Sequence, residues 1–212
     1  MTNVFLNDYT TCWMSNSTCS KRYIPFTPEG IMIHSTGRDQ KYLREYVQPS
    51  NDDPRYKELI KLLGRNNKHT DYNHTHRNEG FHFWIGAAAN GGIEIIATEP
   101  LNIKTQGDNY IHICVCEDDL TNHQYFDDCI ISLCALCWRL CQEYHWDAEN
   151  ILDHSEISSL PDISYWLKKF GMDFINIKDT VTQLMKHYPG IYKFDKKKNF
   201  RYNKYRTISS KN

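Results

Sequence analysis

A short apolar run ends in a histidine and a polar turn at Ile31-Met32-Ile33-His34-Ser35-Thr36-Gly37. Three consecutive apolar residues are typical of a short buried strand, and Ser, Thr and Gly are typical of the turn that follows one. We therefore predict that His34 lies at a strand end. Far along the chain, Asp153-His154-Ser155-Glu156 is followed closely by Asp162, which adds a second histidine and a carboxylate.

Two histidines and one carboxylate form a suitable ligand set for a catalytic zinc ion. Three protein ligands leave one coordination position for water, and imidazole and carboxylate donors suit a metal of borderline hardness. His34, His154 and Asp162 could supply this set. The residue types alone leave a second interpretation open, because a histidine at a strand end is often hydrogen-bonded structure rather than a ligand.

Several further segments indicate a protein family because they occur in a particular order along the chain. They are Tyr46-Val47-Gln48-Pro49, Leu63-Gly64-Arg65-Asn66, Tyr72-Asn73, Phe81-His82-Phe83-Trp84-Ile85-Gly86, Ile96-Ala97-Thr98-Glu99-Pro100-Leu101-Asn102, Ile113-Cys114-Val115-Cys116-Glu117-Asp118, Cys137 with Cys141, and Asp162-Ile163-Ser164-Tyr165-Trp166. Together with the His34 segment, this ordered set resembles the zinc-dependent N-acetylmuramoyl-L-alanine amidases of phages and Gram-positive bacteria, relatives of the peptidoglycan recognition proteins. The resemblance spans residues 28 to 185.

The resemblance implies a fold, a metal and a reaction. The fold would be one α/β domain, in which helices flank a mixed central sheet and a groove accepts a glycan-linked peptide. His34, His154 and Asp162 would bind zinc at one edge of the sheet. Zinc-activated water would then cleave the amide bond between N-acetylmuramic acid and the L-alanine of the peptidoglycan stem peptide.

Three supporting positions depart from the family's pattern. Where many relatives carry a glutamate base, this chain has Cys114, and where others use a tyrosine it has Phe81. A lysine or histidine often stands two residues before the third ligand, and that position is Leu160. These departures raise the alternative that the protein is a catalytically weakened module of the same fold that binds peptidoglycan fragments.

Replacement acid–base groups are His112, Glu156 and Cys114 itself. His112 shares a strand face with Cys114 because side chains alternate with a period of two, so it could lie near the metal. The alternative is that His112 packs in the interior or faces solvent at the strand end. Glu156 follows His154 by two residues, and its alternative role is to hydrogen-bond a ligand.

The pattern of apolar residues predicts strands and helices in alternation. We predict strands at 31–34, 81–86, 93–97 and 111–116. We predict four helices. The first is capped by Asp53 and ends at Gly64, and the second begins with a capping box formed by Thr121 and Gln124. The third runs from Ile163 to Phe170, and the fourth runs from Ile177 to Tyr188. By themselves these patterns indicate only the α/β class.

Other cysteine and histidine groups have structural explanations. Cys134, Cys137 and Cys141 have helical spacing, which favours buried thiols over an iron–sulfur cluster because a cluster needs a loop that wraps around it. His69, His74, His76 and His82 could form a competing metal site. Solvated loop histidines explain that polar segment better.

The length of the chain and its charge distribution predict one folded domain followed by a basic tail. Its 212 residues, 40% of them hydrophobic, suffice for one core without disulfide bonds. We predict a catalytic domain at 1–190 and a basic aromatic tail at 191–212, which contains eight Lys and Arg residues against Asp195 alone. The tail could bind an anionic wall polymer, a membrane surface or nucleic acid, or merely solubilise the protein. We expect the tail to bind a wall polymer rather than nucleic acid. A third interpretation of the whole protein is a nucleic-acid or surface-binding module.

The location of the protein is a further expectation. The N-terminus shows no basic-then-apolar signal, and no apolar run approaches the ~18 residues that span a bilayer. We therefore expect a protein that is cytoplasmic as synthesised, has no membrane span, and acts on the cell wall after lysis or non-classical release.

Overall fold

The computed structural model describes residues 9–75, 77–118, 121–156 and 162–189. The predicted tail at 191–212, together with His76 and Leu160, lies outside these residues. Within them, six strands form one sheet in the order β1-β4-β3-β5-β2-β6. The strands are β1 Thr10–Thr11, β2 Gly30–Ser35, β3 Phe83–Ala87, β4 Ile93–Ala97, β5 Tyr110–Val115 and β6 Ile151–Asp153.

The sheet is mixed, as the resemblance implies. Among the strands of the described residues, β3 and β4 pair antiparallel, whereas β1–β4, β3–β5, β5–β2 and β2–β6 pair parallel. The five helices in the described residues are α1 Thr18–Arg22, α2 Tyr56–Leu63, α3 His123–Tyr144, α4 Ile163–Lys169 and α5 Phe174–His187. Short 3-10 turns occur at Leu43–Glu45, Ala148–Asn150 and His154–Glu156. No described helix combines the length and hydrophobicity that a membrane span needs.

Each face of the sheet buries its own apolar cluster. On one face, Ile31 and Ile33 of β2 pack in a cluster that includes residues of α3, α4 and α5. On the other, Trp84 of β3 and Cys114 of β5 pack with residues of α2 and the turn at Leu43–Glu45. Because side chains alternate along a strand, His34 lies on the second face, opposite Ile33.

The cysteine prediction is confirmed. Cys134, Cys137 and Cys141 lie within α3, and all eight cysteines of the chain are buried free thiols. Burial raises the pKa of the Cys137 thiol well above its ordinary value, so it stays protonated. These thiols fill the core and form neither a disulfide framework nor a loop around a cluster.

Candidate metal centre

His34 lies at the carboxyl end of β2 and is only 5% exposed. Its ring makes a T-shaped contact with Phe81, with ring centroids 5.0 Å apart, and the ring centroid of His154 lies 4.5 Å away. Burial lowers the pKa of His34, although the neighbouring Asp162 carboxylate opposes the shift. The imidazole is therefore held in the neutral form, which is the form that binds metal ions.

Parallel pairing of β2 with β6 brings His154 to His34. Ile33 is paired with Asp153, so the residues that follow each strand emerge at the same sheet edge. The Asp153 carboxylate then fixes the turn, because it accepts hydrogen bonds from the Ser155 amide at 3.0 Å and hydroxyl at 2.8 Å. It also accepts one from Ser164 in α4, which ties the turn to that helix.

Asp162 holds its carboxylate between the two histidines while capping α4. Its Oδ1 accepts hydrogen bonds from the backbone amides of Ile163, at 3.0 Å, and Ser35. Its Oδ2 lies 2.8 Å from Nδ1 of His154 and 3.6 Å from Nδ1 of His34. Burial would raise the pKa of this carboxyl, but the hydrogen bonds and charge of its neighbours outweigh burial and lower it. Asp162 is therefore an anion.

These residues fit a divalent metal ion. One ligand atom from each of His34, His154 and Asp162 lies within 4.8 Å of the others. Bond lengths of about 2.0–2.1 Å in a tetrahedral zinc site put neighbouring ligand atoms about 3.4 Å apart. The observed separations of 2.8 and 3.6 Å fall on either side of that value, so small side-chain adjustments suffice. The donor set is one that zinc accepts in catalytic sites.

His112 contacts the first of these residues directly. It is 1% exposed, on the same sheet face as His34, and its Nδ1 lies 2.9 Å from Nε2 of His34. Its Nε2 lies 2.7 Å from Oδ1 of Asp108. Sequence reasoning did not single out Asp108, which belongs to the loop before β5. The only local signal is its spacing of four residues from His112, and no periodic pattern marks that spacing as meaningful across a loop and a strand.

Cys114 and Glu156 have different surroundings. Cys114 is paired in register with His34, but its thiol is buried in the apolar cluster beside α2, and burial raises its pKa well above the ordinary value. Glu156 is exposed, and its Oε1 accepts a hydrogen bond from the Asp153 amide at 3.1 Å. Phe81, at the family's tyrosine position, packs against His34.

The described members of the second histidine group, which are His69, His74 and His82, lie in two different parts of the fold. Ligand atoms of His69, Asp71 and His74 lie within 4.8 Å of one another in one loop. There Nδ1 of His74 lies 2.8 Å from the fully buried Asp71 carboxylate, which also accepts the Asn73 amide and so shapes the loop. His82 is instead buried beside β5, where its Nε2 lies 2.9 Å from the Ile103 carbonyl oxygen. His82 therefore does not join the loop histidines in the alternative metal site, and the interpretation as a solvated loop histidine is wrong for this residue.

Fold and site together define an α/β enzyme with a candidate metal site where the parallel strands β2 and β6 end. The chain belongs to the N-acetylmuramoyl-L-alanine amidase family, whose sequence profile matches residues 25–164. The matched residues include all of β2 to β6 and reach from before His34 to just beyond Asp162. No curated protein sequence matches the chain significantly.

Solved structures agree on the fold. The Staphylococcus aureus hydrolase AmiA, solved in complex with its ligand, has 13% identity and a TM-score of 0.55, covering 85% of each chain. A mutant endolysin from Bacillus subtilis has 15% identity and a TM-score of 0.52, covering 82% of this chain and 98% of its own. The PlyG catalytic domain has 14% identity and a TM-score of 0.52, covering 89% of this chain and 100% of its own. At these identities the similarity establishes the architecture alone.

Proposed function

We propose that this protein is a zinc-dependent peptidoglycan hydrolase, which cleaves the amide bond between N-acetylmuramic acid and the L-alanine of the stem peptide. The observation that supports this most is the convergence of His34, His154 and Asp162 within 4.8 Å, inside a chain that belongs to the amidase family. When bound there, zinc would polarise the scissile carbonyl and lower the pKa of a coordinated water molecule.

The protein itself holds the ligands in place before any metal arrives. β2 fixes the backbone of His34, and the N-terminus of α4 fixes one oxygen of Asp162 while the other faces the histidines. Beside His34, Phe81 packs against Trp84 and Tyr72, with ring centroids 4.8 and 5.7 Å away. This aromatic wall limits the access of water on one side and offers an apolar surface to a substrate.

Proton transfer needs groups besides the metal ligands, since the attacking water must lose a proton and the leaving amine must gain one. We propose His112, Glu156 and Cys114 as the candidates, and the geometry supports them unequally. His112 touches a metal ligand. Glu156 is solvent-exposed next to His154, whereas Cys114 is a protonated thiol among apolar side chains.

A second candidate function is recognition of peptidoglycan without efficient cleavage. The surroundings of Cys114 and Phe81 favour it, because neither side chain can act as the glutamate or tyrosine that the resembled family uses at those positions. Binding of peptidoglycan fragments would then persist without turnover. The zinc site would serve to hold the substrate or to stabilise the fold.

The test combines two measurements on one zinc-loaded sample. Purified peptidoglycan is incubated with the protein, the release of L-alanine amino groups is followed, and bound zinc is quantified. Stoichiometric zinc with release supports the amidase, and zinc without release supports the recognition module. His34→Ala and His154→Ala should lose both zinc and release, whereas His187→Ala, on the exposed end of α5, should retain both. A protein that binds no zinc would contradict the amidase and the proposed metal site.

We further propose that the basic segment 191–212 binds an anionic wall polymer, and that the protein reaches the wall after lysis or non-classical release. The support is the eight basic residues against one acid in that segment. Binding to isolated walls should weaken with salt and in a Lys196→Gln, Lys197→Gln, Lys198→Gln variant. Unchanged wall binding, or stronger binding to DNA than to walls, would contradict this assignment.

A further inference from the structure

A chain of hydrogen bonds leads from the loop before β5 to the first metal ligand. Oδ1 of Asp108 lies 2.7 Å from Nε2 of His112, and Nδ1 of His112 lies 2.9 Å from Nε2 of His34. The two histidines are almost completely buried. Each of their facing nitrogens therefore depends on its protein partner rather than on bulk water.

The partners determine which nitrogen carries the proton. A carboxylate can only accept, so Nε2 of His112 must donate to Asp108. When His112 carries this single N–H, its Nδ1 is an acceptor, and the hydrogen bond to His34 is then donated by Nε2 of His34. Nδ1 of His34 then carries a lone pair. Its distance of 3.6 Å from Asp162 Oδ2 is too long for a hydrogen bond, and it faces the ligand cluster.

Further contacts on either side hold this series of hydrogen bonds rigidly. The Asp108 carboxylate also accepts the Tyr110 amide at 3.2 Å, and the bond from His112 helps to keep the pKa of Asp108 low despite burial. Behind His112, the backbone amide donates to Nδ1 of His82 at 2.9 Å, and the His82 ring stacks 6.1 Å from the His112 ring. His112 therefore has a fixed backbone and a fixed ring plane.

We infer that Asp108 and His112 are positioning residues for the metal centre: they hold His34 in the tautomer and orientation that present Nδ1 to the ion. This inference rests on the proposed metal-dependent function. It assigns His112 a role that it exerts through His34, distinct from direct proton transfer to the substrate. Outer groups that orient a histidine ligand typically change metal affinity by about 10–100-fold when removed.

The first experiment measures zinc affinity by competition with a chromophoric chelator, in the full chain. His112→Phe keeps an aromatic ring but loses both hydrogen bonds, and should weaken zinc binding by about 10–100-fold. His112→Asn, whose amide oxygen can accept from His34, should bind zinc more tightly than His112→Phe. Asp108→Ala should also weaken zinc binding. Because Asp108 is partly exposed, this variant tests the inference even if the substitutions of the buried His112 prevent folding. His187→Phe controls for loss of an imidazole elsewhere.

The second experiment reads the tautomer directly from imidazole nitrogen NMR of the metal-free protein. His34 should show a protonated Nε2 in the wild type, and this preference should disappear in His112→Phe. A wild-type His34 protonated at Nδ1 would overturn the inference, as would wild-type zinc affinity in both His112→Phe and Asp108→Ala. Unchanged affinity with a lost kcat in His112→Phe would replace the inference by the acid–base role. A wild type that binds zinc but releases no L-alanine would contradict the hydrolase alone.

Discussion

The two carboxylate oxygens of Asp162 have different roles. One oxygen caps α4 and the other faces the histidines, so a substitution can remove one function and spare the other. Asparagine caps a helix about as well as aspartate, whereas alanine costs about 1 kcal/mol at such a position. The site can therefore be separated from the fold at this residue.

We predict that Asp162→Asn keeps the metal-free stability while zinc affinity falls, and that Asp162→Ala lowers both. Urea unfolding without metal measures the first quantity, and chelator competition measures the second. Equal losses of stability in the two variants would show that the cap does not depend on the Oδ1 contact.

His82 predicts a pH dependence of stability. Its Nε2 donates to the Ile103 carbonyl and its Nδ1 accepts the His112 amide, so both nitrogens are satisfied only in the neutral ring. Burial lowers the pKa of His82 from 6.5 to about 3. The unfolded chain takes up this proton below about pH 6.5 and the folded protein does not. The stabilisation is thus present above that pH and lost as the pH falls towards 3.

Between about pH 6 and 4, unfolding of the wild type should therefore take up about one proton more than unfolding of His82→Gln. The check is the slope of unfolding free energy against pH, from urea titrations of both proteins. His187→Gln, which alters an exposed histidine, should keep the wild-type slope. Parallel slopes for the wild type and His82→Gln would contradict a neutral buried His82.

At the scale of elements, the approach of β6 to β2 places the second histidine. Gly30 begins β2, and a Cβ atom there would come within 2.5 Å of the Asn150 carbonyl oxygen, directly before β6. Such a contact cannot be accommodated without moving backbone. The two strands would separate at this end, and the turn that carries His154 would shift with β6.

Gly30→Ala should destabilise the protein by about 1–3 kcal/mol, the usual cost of overpacking, and should weaken zinc binding. Gly107→Ala is the matched control, because a Cβ at Gly107 meets nothing within 4 Å. Thermal unfolding and zinc affinity of both variants provide the check. Full stability of Gly30→Ala would mean that β2 and β6 are not closely joined here.

Strand and helix predictions succeeded where the local pattern was strong. The predicted strands at 31–34, 93–97 and 111–116 match β2, β4 and β5 within a residue at each end, and 81–86 overlaps β3. The short strands β1 and β6 carry too few residues for a periodic pattern and exist because neighbours pair with them. Asp53 does not cap α2: the helix begins at Tyr56 with Arg55 as its cap, and Asn122 rather than Thr121 caps α3.

At the scale of the whole molecule, the candidate metal ligands come from parts of the chain that meet only in the folded state. His34 follows β2, His154 follows β6, and Asp162 begins α4. The unfolded chain has no such preformed site, so metal binding must stabilise the native state. The gain depends on the free metal concentration relative to Kd, and is about 2.7 kcal/mol at 100 times Kd.

We therefore predict that zinc raises the midpoint of thermal unfolding in a concentration-dependent manner and that chelators reverse the shift. His34→Ala should show no shift, while His187→Ala should behave as the wild type. A shift that survives in His34→Ala would place the stabilising ion elsewhere, with the His69, Asp71 and His74 loop as the next site to test.

The sequence by itself determined the α/β class, the family, and the choice of His34, His154 and Asp162 as candidate metal ligands, because apolar runs, ordered motifs and ligand types are local properties of the chain. Tertiary structure alone decided that these three converge, that His112 touches His34, and that Asp108 completes the chain of hydrogen bonds. Those contacts depend on which strands are neighbours and in what register. Pairing is settled by packing across the whole sheet, so no single segment encodes it.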